Sequence, residues 1–216
     1  MLHKHQTRRR LRGQSLLELA LSLTVMLIIF SGLVEVGFLI GQYSLLVQAA
    51  RNGARYAIDF EHTDIEPACT PVRTPACTDA VCVRDFYCAT ADTVERNLSY
   101  LGDTSTPLDP ARDDIIISVF TISRGLGVVA RYPTPTGWSY YGNERSQFTN
   151  ADVERMINER GLAYMDMGAV LVEIVYHYHH RLGLPWIAPF IPNPKRLHVY
   201  SFMPQDSAAP DPTPTP

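Results

Sequence analysis

The sequence predicts an α+β fold in which a long N-terminal transmembrane helix continues into an external domain, where an antiparallel sheet of about four strands packs on helices. Two observations lead to this class. From Leu16 to Ile40 the chain is apolar apart from Glu18, Glu35 and small residues, and at about 1.5 Å per residue it is long enough to cross the hydrocarbon core of a membrane, roughly 30 Å thick. Further along, four segments rich in β-branched and aromatic residues predict strands.

The apolar run predicts a single membrane crossing with a defined orientation. Inside lipid the backbone must satisfy its own hydrogen bonds, so the segment has to be helical. All basic residues near the run precede it: Lys4, Arg8, Arg9, Arg10 and Arg12. Because positive flanks stay on the cytoplasmic side, we expect a cell-membrane protein with a cytoplasmic N-terminus and an extracytoplasmic C-terminal domain in contact with membrane lipid.

The helix is predicted to extend beyond the membrane. Gln42 to Asp59 keeps apolar residues at helical spacing with few breakers, so we predict one helix over residues 14–59. Gly37 and Gly41 are one helical turn apart, a spacing that allows another helix to approach closely.

Two carboxylates interrupt the apolar run, and ionised groups are costly at that depth. Glu18 and Glu35 could stay hydrated near the two membrane boundaries, or each could meet a partner on another helix. We favour the second interpretation and predict that both take part in pairing between subunits.

A glycine separates the basic leader, residues 1–13, from the apolar run. Gly13 is followed by Gln14, Ser15, Leu16, Leu17 and Glu18, and the run continues with GLVEVG at 32–37 and QAARNGARYA at 48–57. The first motif resembles the prepilin-peptidase site of type IV pilins, and the three together are similar to the TadE-like pseudopilins of tight-adherence pilus systems.

The resemblance implies a specific processing and pairing chemistry. A prepilin peptidase would cut after Gly13 and make Gln14 the new N-terminus. Glu18 would then pair with the freed amine of a neighbouring subunit, since both groups are far better paired than apart when they lose water. The implied partners are that peptidase, other pilin or pseudopilin subunits and the pilus assembly machinery.

The charge of the chain argues against nucleic acid as a partner. The formal net charge is −3, and removing the five basic residues of the leader would leave 14 basic and 22 acidic residues, a net charge of −8. An acidic external domain repels nucleic acid. The sequence has no nucleotide-binding loop, nucleophile elbow or paired acid–base motif, so we expect no enzymatic activity, no cofactor and no small-molecule substrate.

All four cysteines lie in an irregular stretch from Glu61 to Cys88 that is rich in Pro, Thr and Asp. They are Cys69, Cys77, Cys82 and Cys88. An even number outside the membrane predicts two disulfides, with three possible pairings that the sequence leaves open. A zinc site is the alternative, which the irregular spacing disfavours, and we expect no bound metal.

The external domain is predicted over residues 60–203. The expected helices are Ala91–Leu101 and Thr149–Tyr164, the second capped by Thr149 or Asn150; the expected strands are Asp114–Ser123, Val128–Tyr132, Gly168–His179 and Arg196–Phe202. Pro133–Ser146 and the apolar, proline-rich Leu182–Pro194 are expected to be loops. Residues 204–216 are expected to form a disordered Pro/Thr tail.

Two clusters leave their roles open. His177, His179 and His180 sit at a strand end, where they could bind a transition metal or, as we favour, form a solvated edge. A second cluster consists of Trp186, Ile187, Phe190 and Ile191, which could fill the core or present an apolar patch to another subunit or to the membrane surface.

Three functions are compatible with the sequence. The favoured one is a non-enzymatic, membrane-anchored pseudopilin or minor pilin that takes part, through helix packing in the membrane, in assembling a tight-adherence (type IVb-like) pilus for cell adhesion. The alternative is a membrane-tethered binding or sensor module with no role in a pilus. An anchored hydrolase or metalloenzyme is a third possibility, and it rests only on the histidines.

Overall fold

The computed structural model describes residues 4–60, 86–100, 108–162 and 165–210, with the backbone alone for residues 4–13. The described residues divide into two compact units. The helix–loop unit joins the first helix, up to Gly41, with the segment His179–Lys195. The sheet unit holds the other described residues, from Gln42 to Tyr178 and from Arg196 onward.

The predicted long helix is present as one continuous element. Helix α1 runs over Lys4–Ile58, 55 residues, so it begins ten residues before the predicted start at Gln14 and ends one residue before the predicted end. The leader extends the helix because it contains no proline and its only glycine, Gly13, does not interrupt the run.

The remaining elements follow in an α+β order. They are α2 (Phe86–Tyr100), β1 (Asp114–Ser123), β2 (Gly127–Tyr132), β3 (Trp138–Ser139), α3 (Asn150–Glu159), β4 (Met167–Tyr178), β5 (Lys195–Pro204) and a short 3-10 helix (Asp206–Ala208). The predicted fold class, a long apolar helix followed by an antiparallel sheet with helices, is confirmed.

The sheet has five strands in the described part of the chain, in the order β2-β1-β4-β5, with β3 paired to β1 beside β2. β1 and β4 form the central antiparallel pair, in which Ile117 faces Val172 and Val119 faces Val170. A register shift after Thr121 leaves Val129 out of the β1–β2 ladder, and this residue is exposed.

Both central strands are buried on both faces. One face packs on α3 through a cluster of Phe120, Ile122, Val153, Ile157, Ala169, Leu171 and Phe202. On the opposite face, α2 packs on β1, and the outer part of α1 comes so close that a Cβ at Gly53 would lie 3.8 Å from Val172 Cγ1. The sheet is therefore covered on both sides, which explains why its central strands are almost continuously apolar.

Most predicted elements are confirmed in position, and four differ. The helix predicted from Ala91 begins at Phe86, which places Cys88 inside α2 rather than in a loop. The predicted loop Pro133–Ser146 contains the two-residue strand β3, which is too short to show a periodic pattern.

The other two differences concern ends of the domain. α3 stops at Glu159 rather than Tyr164 because Gly161 adopts a left-handed φ of 69° that ends the helix. Pro204 closes β5, and the residues after it remain folded as far as Ala208. Gln205 and Ala208 are buried, and the Gln205 side chain donates to the carbonyl oxygens of Ala57 and Phe60, both at 3.2 Å.

Candidate membrane-anchoring and assembly helix

The N-terminal part of α1 has the surface of a lipid-exposed helix. Every residue from Gln14 to Phe30 is exposed on all sides of the helix, although most are large and apolar. A soluble protein rarely exposes a continuous apolar surface of this size. In the described part of the chain, this is the one helix that is long and apolar enough to cross a membrane.

The hydroxyl groups in this stretch are satisfied within the helix itself. Ser22 Oγ donates to Glu18 O at 2.5 Å, Thr24 Oγ1 to Ala20 O at 2.8 Å, and Ser31 Oγ to Ile28 O at 2.8 Å. Bonding to the preceding turn removes the cost of carrying a hydroxyl group through hydrocarbon. These residues therefore do not argue against a membrane crossing.

Glu18 and Glu35 lie in different surroundings. Glu18 is exposed one turn after the predicted cleavage point. Glu35 is completely buried. Its Oε1 accepts a hydrogen bond from the backbone N–H of Arg181 and its Oε2 accepts one from Leu182, both at 2.9 Å.

The two amides that meet Glu35 belong to the start of the apolar loop, within the same compact unit. Charge-assisted hydrogen bonds to both oxygens offset the cost of burying a carboxylate. The sequence shows Glu35 and the unusual loop separately, but 146 residues separate Glu35 from Arg181, so no local pattern connects them. Pairing of either glutamate with a neighbouring subunit stays a prediction.

Gly37 and Gly41 leave room beside the helix. A Cβ built on either glycine would meet no atom within 4 Å, and both residues are exposed. The surface is thus shaped for close contact with another helix. The predicted packing partner at these positions stays a prediction.

The part of α1 beyond Gly41 is a packing element of the sheet unit. Small residues along one side, Ala49, Ala50, Gly53, Ala54 and Ala57, are buried there. Gly53 is essential to this contact, because an added Cβ would overlap Val94 Cγ2 of α2. The small side chains let α1 approach α2 and the sheet closely.

The exposed apolar stretch, Glu18, the two open glycines and the small-residue seam all belong to one short segment. Residues 13–55 match the family model of TadE-like protein. The TadE-like segment thus covers about a fifth of the chain and ends within the seam on which the sheet unit packs. Neither curated proteins nor solved structures show a significant match.

The matched range contains the predicted cleavage, pairing and packing sites. It begins at Gly13, the residue at which we predict cleavage, and it includes Glu18, Glu35, Gly37 and Gly41. The cleavage, pairing and packing roles expected of these residues stay predictions.

The predicted disulfides fall mostly outside the described residues. Cys69, Cys77 and Cys82 lie in the range 61–85, about which the structure says nothing. Cys88 is buried in α2. The two disulfides therefore stay a prediction.

The sheet unit contains a serine, a histidine and a glutamate close together, but their arrangement is not that of a nucleophilic site. Ser146 Oγ donates to Oε1 of the buried Glu173 carboxylate, the Gln147 backbone N–H donates to Oε2 at 3.1 Å, and His198 Nε2 lies 2.9 Å from the same Oε2. Both the hydroxyl and the imidazole thus contact the carboxylate instead of each other. The group fastens the 146–148 loop to β4 and β5.

Neighbouring polar groups have the same structural role. Arg131 donates to Ser118 Oγ at 2.9 Å and to Phe148 O at 2.8 Å, and its guanidinium lies over the Phe120 ring. Burial lowers the pKa of Arg131, and attraction to Glu173 partly opposes this. Arg131 and Glu173 therefore stabilise the 146–148 loop from two sides.

The histidine cluster at the end of β4 is divided by its contacts. The backbone N–H of His177 donates to Asp113 Oδ1 at 2.7 Å, and its Nδ1 lies 3.1 Å from the same oxygen. His179 and His180 belong to the helix–loop unit, where the backbone N–H of His180 donates to Asn193. Among the described residues, no three His, Cys, Asp or Glu side chains are grouped so that they could hold a metal ion.

Proposed function

We propose that this protein is a membrane-anchored pseudopilin or minor pilin that takes part, without enzymatic activity, in assembling a tight-adherence pilus. The observation that carries the proposal is the TadE-like segment, whose lipid-type surface is continuous with a seam built for packing. The same helix therefore supplies a membrane anchor before Gly41 and a packing seam for the sheet unit after it.

The proposal includes a processing step and a pairing step. A prepilin peptidase removes the leader after Gly13, and Glu18 then pairs with the new α-amine of a neighbouring subunit. The exposure of Glu18 supports this role, since a carboxylate at the entrance of an apolar helix needs a partner once lipid surrounds it. The N-terminus faces the cytoplasm and the sheet unit lies outside, where its cysteines form disulfides.

The processing step is tested by the mass of the intact protein extracted from membranes. A chain that begins at Gln14 is expected, and Gly13→Leu is expected to retain the leader and to abolish pilus formation. A wild-type chain that keeps its basic leader in cells with an active prepilin peptidase would contradict the processing step.

The pairing step is tested by Glu18→Ala. We expect normal membrane insertion and loss of piliation, because removing a charge from the apolar run favours insertion but removes the partner of the amine. Ser22→Ala is the matched control, since it removes a polar group one turn away that bonds only to its own helix backbone in the described structure. Equal piliation in Glu18→Ala, Ser22→Ala and wild type would refute the pairing.

A further inference from the structure

The loop that meets Glu35 has the composition of a membrane-inserting segment. The 13 residues Leu182–Pro194, LGLPWIAPFIPNP, contain no charged side chain. Basic residues flank them on both sides: Arg181 before and Lys195 after, both exposed. An apolar, aromatic segment between cations is typical of elements that lie in the interface of a membrane with anionic headgroups.

The loop leaves its two aromatic side chains exposed. Phe190 is 85% exposed and Trp186 is 42% exposed, whereas Ile187 is buried. Of the four residues in this cluster, Ile187 is thus buried, Ile191 is half-buried, and the two aromatic residues form an exposed apolar surface. Such a surface needs a partner that is itself apolar.

The backbone of the loop is well suited to an environment without water. Pro185, Pro189, Pro192 and Pro194 have no amide hydrogen. Five other amides already donate within the chain: Arg181 and Leu182 to Glu35, Ile187 to Leu184 O, and Phe190 and Ile191 to Ile187 O. Nine of the fourteen positions in 181–194 therefore leave no donor for lipid to satisfy, which lowers the cost of placing this irregular backbone at a membrane interface.

A second contact fixes the depth of the loop along α1. Trp186 Nε1 donates to Ser31 Oγ at 3.3 Å, within the same unit as Glu35. With the inner hydrocarbon boundary at Leu16, Ser31 lies about 22 Å along the helix and Glu35 about 28 Å, compared with a core about 30 Å thick. The indole ring thus lies at the depth of the acyl chains, and Glu35 lies near the boundary.

We propose that Leu182–Pro194 is a second membrane anchor, which inserts into the phospholipid leaflet nearer Ile40 and is held on α1 by Glu35 and Ser31. Arg181 and Lys195 face the anionic headgroups, and Trp186 and Phe190 contact the acyl chains. This inference rests on the proposed function only in requiring that α1 crosses the membrane. It adds a lipid-binding site that lies far from the TadE-like segment in sequence.

The test measures the depth of Trp186 in vesicles of phosphatidylcholine and phosphatidylglycerol. The chain has two tryptophans, so Trp138→Phe leaves Trp186 as the reporter. The matched reference carries Trp138→Phe, Trp186→Phe and Phe30→Trp, which places one indole on α1 next to Ser31. Full-length proteins are reconstituted with lipids brominated either near the headgroup or deeper in the chain, and acrylamide is added as the aqueous quencher.

We expect Trp186 to have a blue-shifted emission maximum and to be protected from quenching by acrylamide. The brominated lipid that quenches the Phe30→Trp reference should also quench Trp186. Adding Glu35→Ala to the Trp186 reporter should shift its emission to the red and raise its quenching by acrylamide, because the loop loses its attachment. If Glu35→Ala changes neither the emission nor the acrylamide quenching of Trp186, Glu35 does not hold the loop and that part of the inference is overturned.

The other outcomes identify what is wrong. If the Phe30→Trp reference is quenched by lipid and Trp186 is quenched only by acrylamide, the loop is in water, the inference is overturned and the anchoring function stands. If Trp186 is protected from both quenchers, another subunit covers it and lipid is the wrong partner. If neither reporter is quenched by lipid, α1 does not cross the membrane and both proposals fail.

Discussion

Replacing Glu35 tests how much of the loop structure depends on one side chain. Its carboxylate accepts hydrogen bonds from two consecutive backbone amides at 2.9 Å. Glu35→Gln keeps the size of the side chain and one acceptor oxygen but loses one charge-assisted hydrogen bond. A bond of this kind stabilises the folded loop by about 1.5–3 kcal/mol. Glu35→Ala leaves both amides without this acceptor. The loss of stability is about 1–3 kcal/mol for each amide, or about 2–6 kcal/mol in total.

These energies predict graded opening of the loop. At about 1.4 kcal/mol per factor of ten, amide exchange at Arg181 and Leu182 should become faster by at least about tenfold in Glu35→Gln and by at least about thirtyfold in Glu35→Ala. Hydrogen exchange read by mass spectrometry over the peptide 179–194, in full-length protein held in lipid nanodiscs, measures this. Glu18→Ala is the control, since it removes the same chemical group from the same helix without touching the loop.

The order of the three proteins is the decisive result. Exchange should rise from wild type to Glu35→Gln to Glu35→Ala, while Glu18→Ala should match wild type and peptides of the sheet should change little. Equal exchange in all four proteins would refute the argument, because the loop would then be held by contacts other than the carboxylate.

Three further predictions concern the sheet unit. Gly53→Ala should lower the free energy of unfolding by about 1–3 kcal/mol, because the new methyl group overlaps the buried Val94 side chain. In the control Gly41→Ala the methyl group points into open space, so the free energy of unfolding should change little. Thermal unfolding followed by circular dichroism compares the two variants. At the start of α3, Thr149→Ala should cost about 1 kcal/mol because it removes the capping box with Asp152. Hydrogen bonds from the Thr149 side chain and backbone lower the pKa of Asp152, so its contribution is present above the carboxyl pKa of the unfolded chain, roughly 4, and is lost as the pH falls through the lower folded value. Wild type should therefore lose more stability in acid than Asp152→Asn does, and parallel pH profiles would contradict this.

The elements that could be predicted from the sequence are those whose signals are local. β1 begins and ends where its run of β-branched residues predicts, and Thr149 caps α3 as its side chain favours. The apolar residues at helical spacing over 42–59 predict that the helix extends beyond the membrane, and α1 continues to Ile58.

The elements that were missed depend on distant contacts. The two residues of β3 become a strand only because β1 offers them a partner at Ile116 and Ile117. Gln205 lies in the segment 204–216, which has the composition of a disordered tail, but its side chain is buried and donates hydrogen bonds to the end of α1. Composition describes what a segment can do alone, and these residues are ordered by neighbours far along the chain.

The amino-acid sequence by itself determined that this protein has a membrane-type helix and an antiparallel sheet, since hydrophobic length and runs of β-branched and aromatic residues act over short distances. It also carries the TadE-like segment on which the proposed function rests. Only the tertiary structure decided where Glu35 finds its hydrogen bonds and which aromatic residues of the apolar loop stay exposed. Folding alone brings the loop amides to that carboxylate across 146 residues, and no local physical rule can reveal such a pairing in advance.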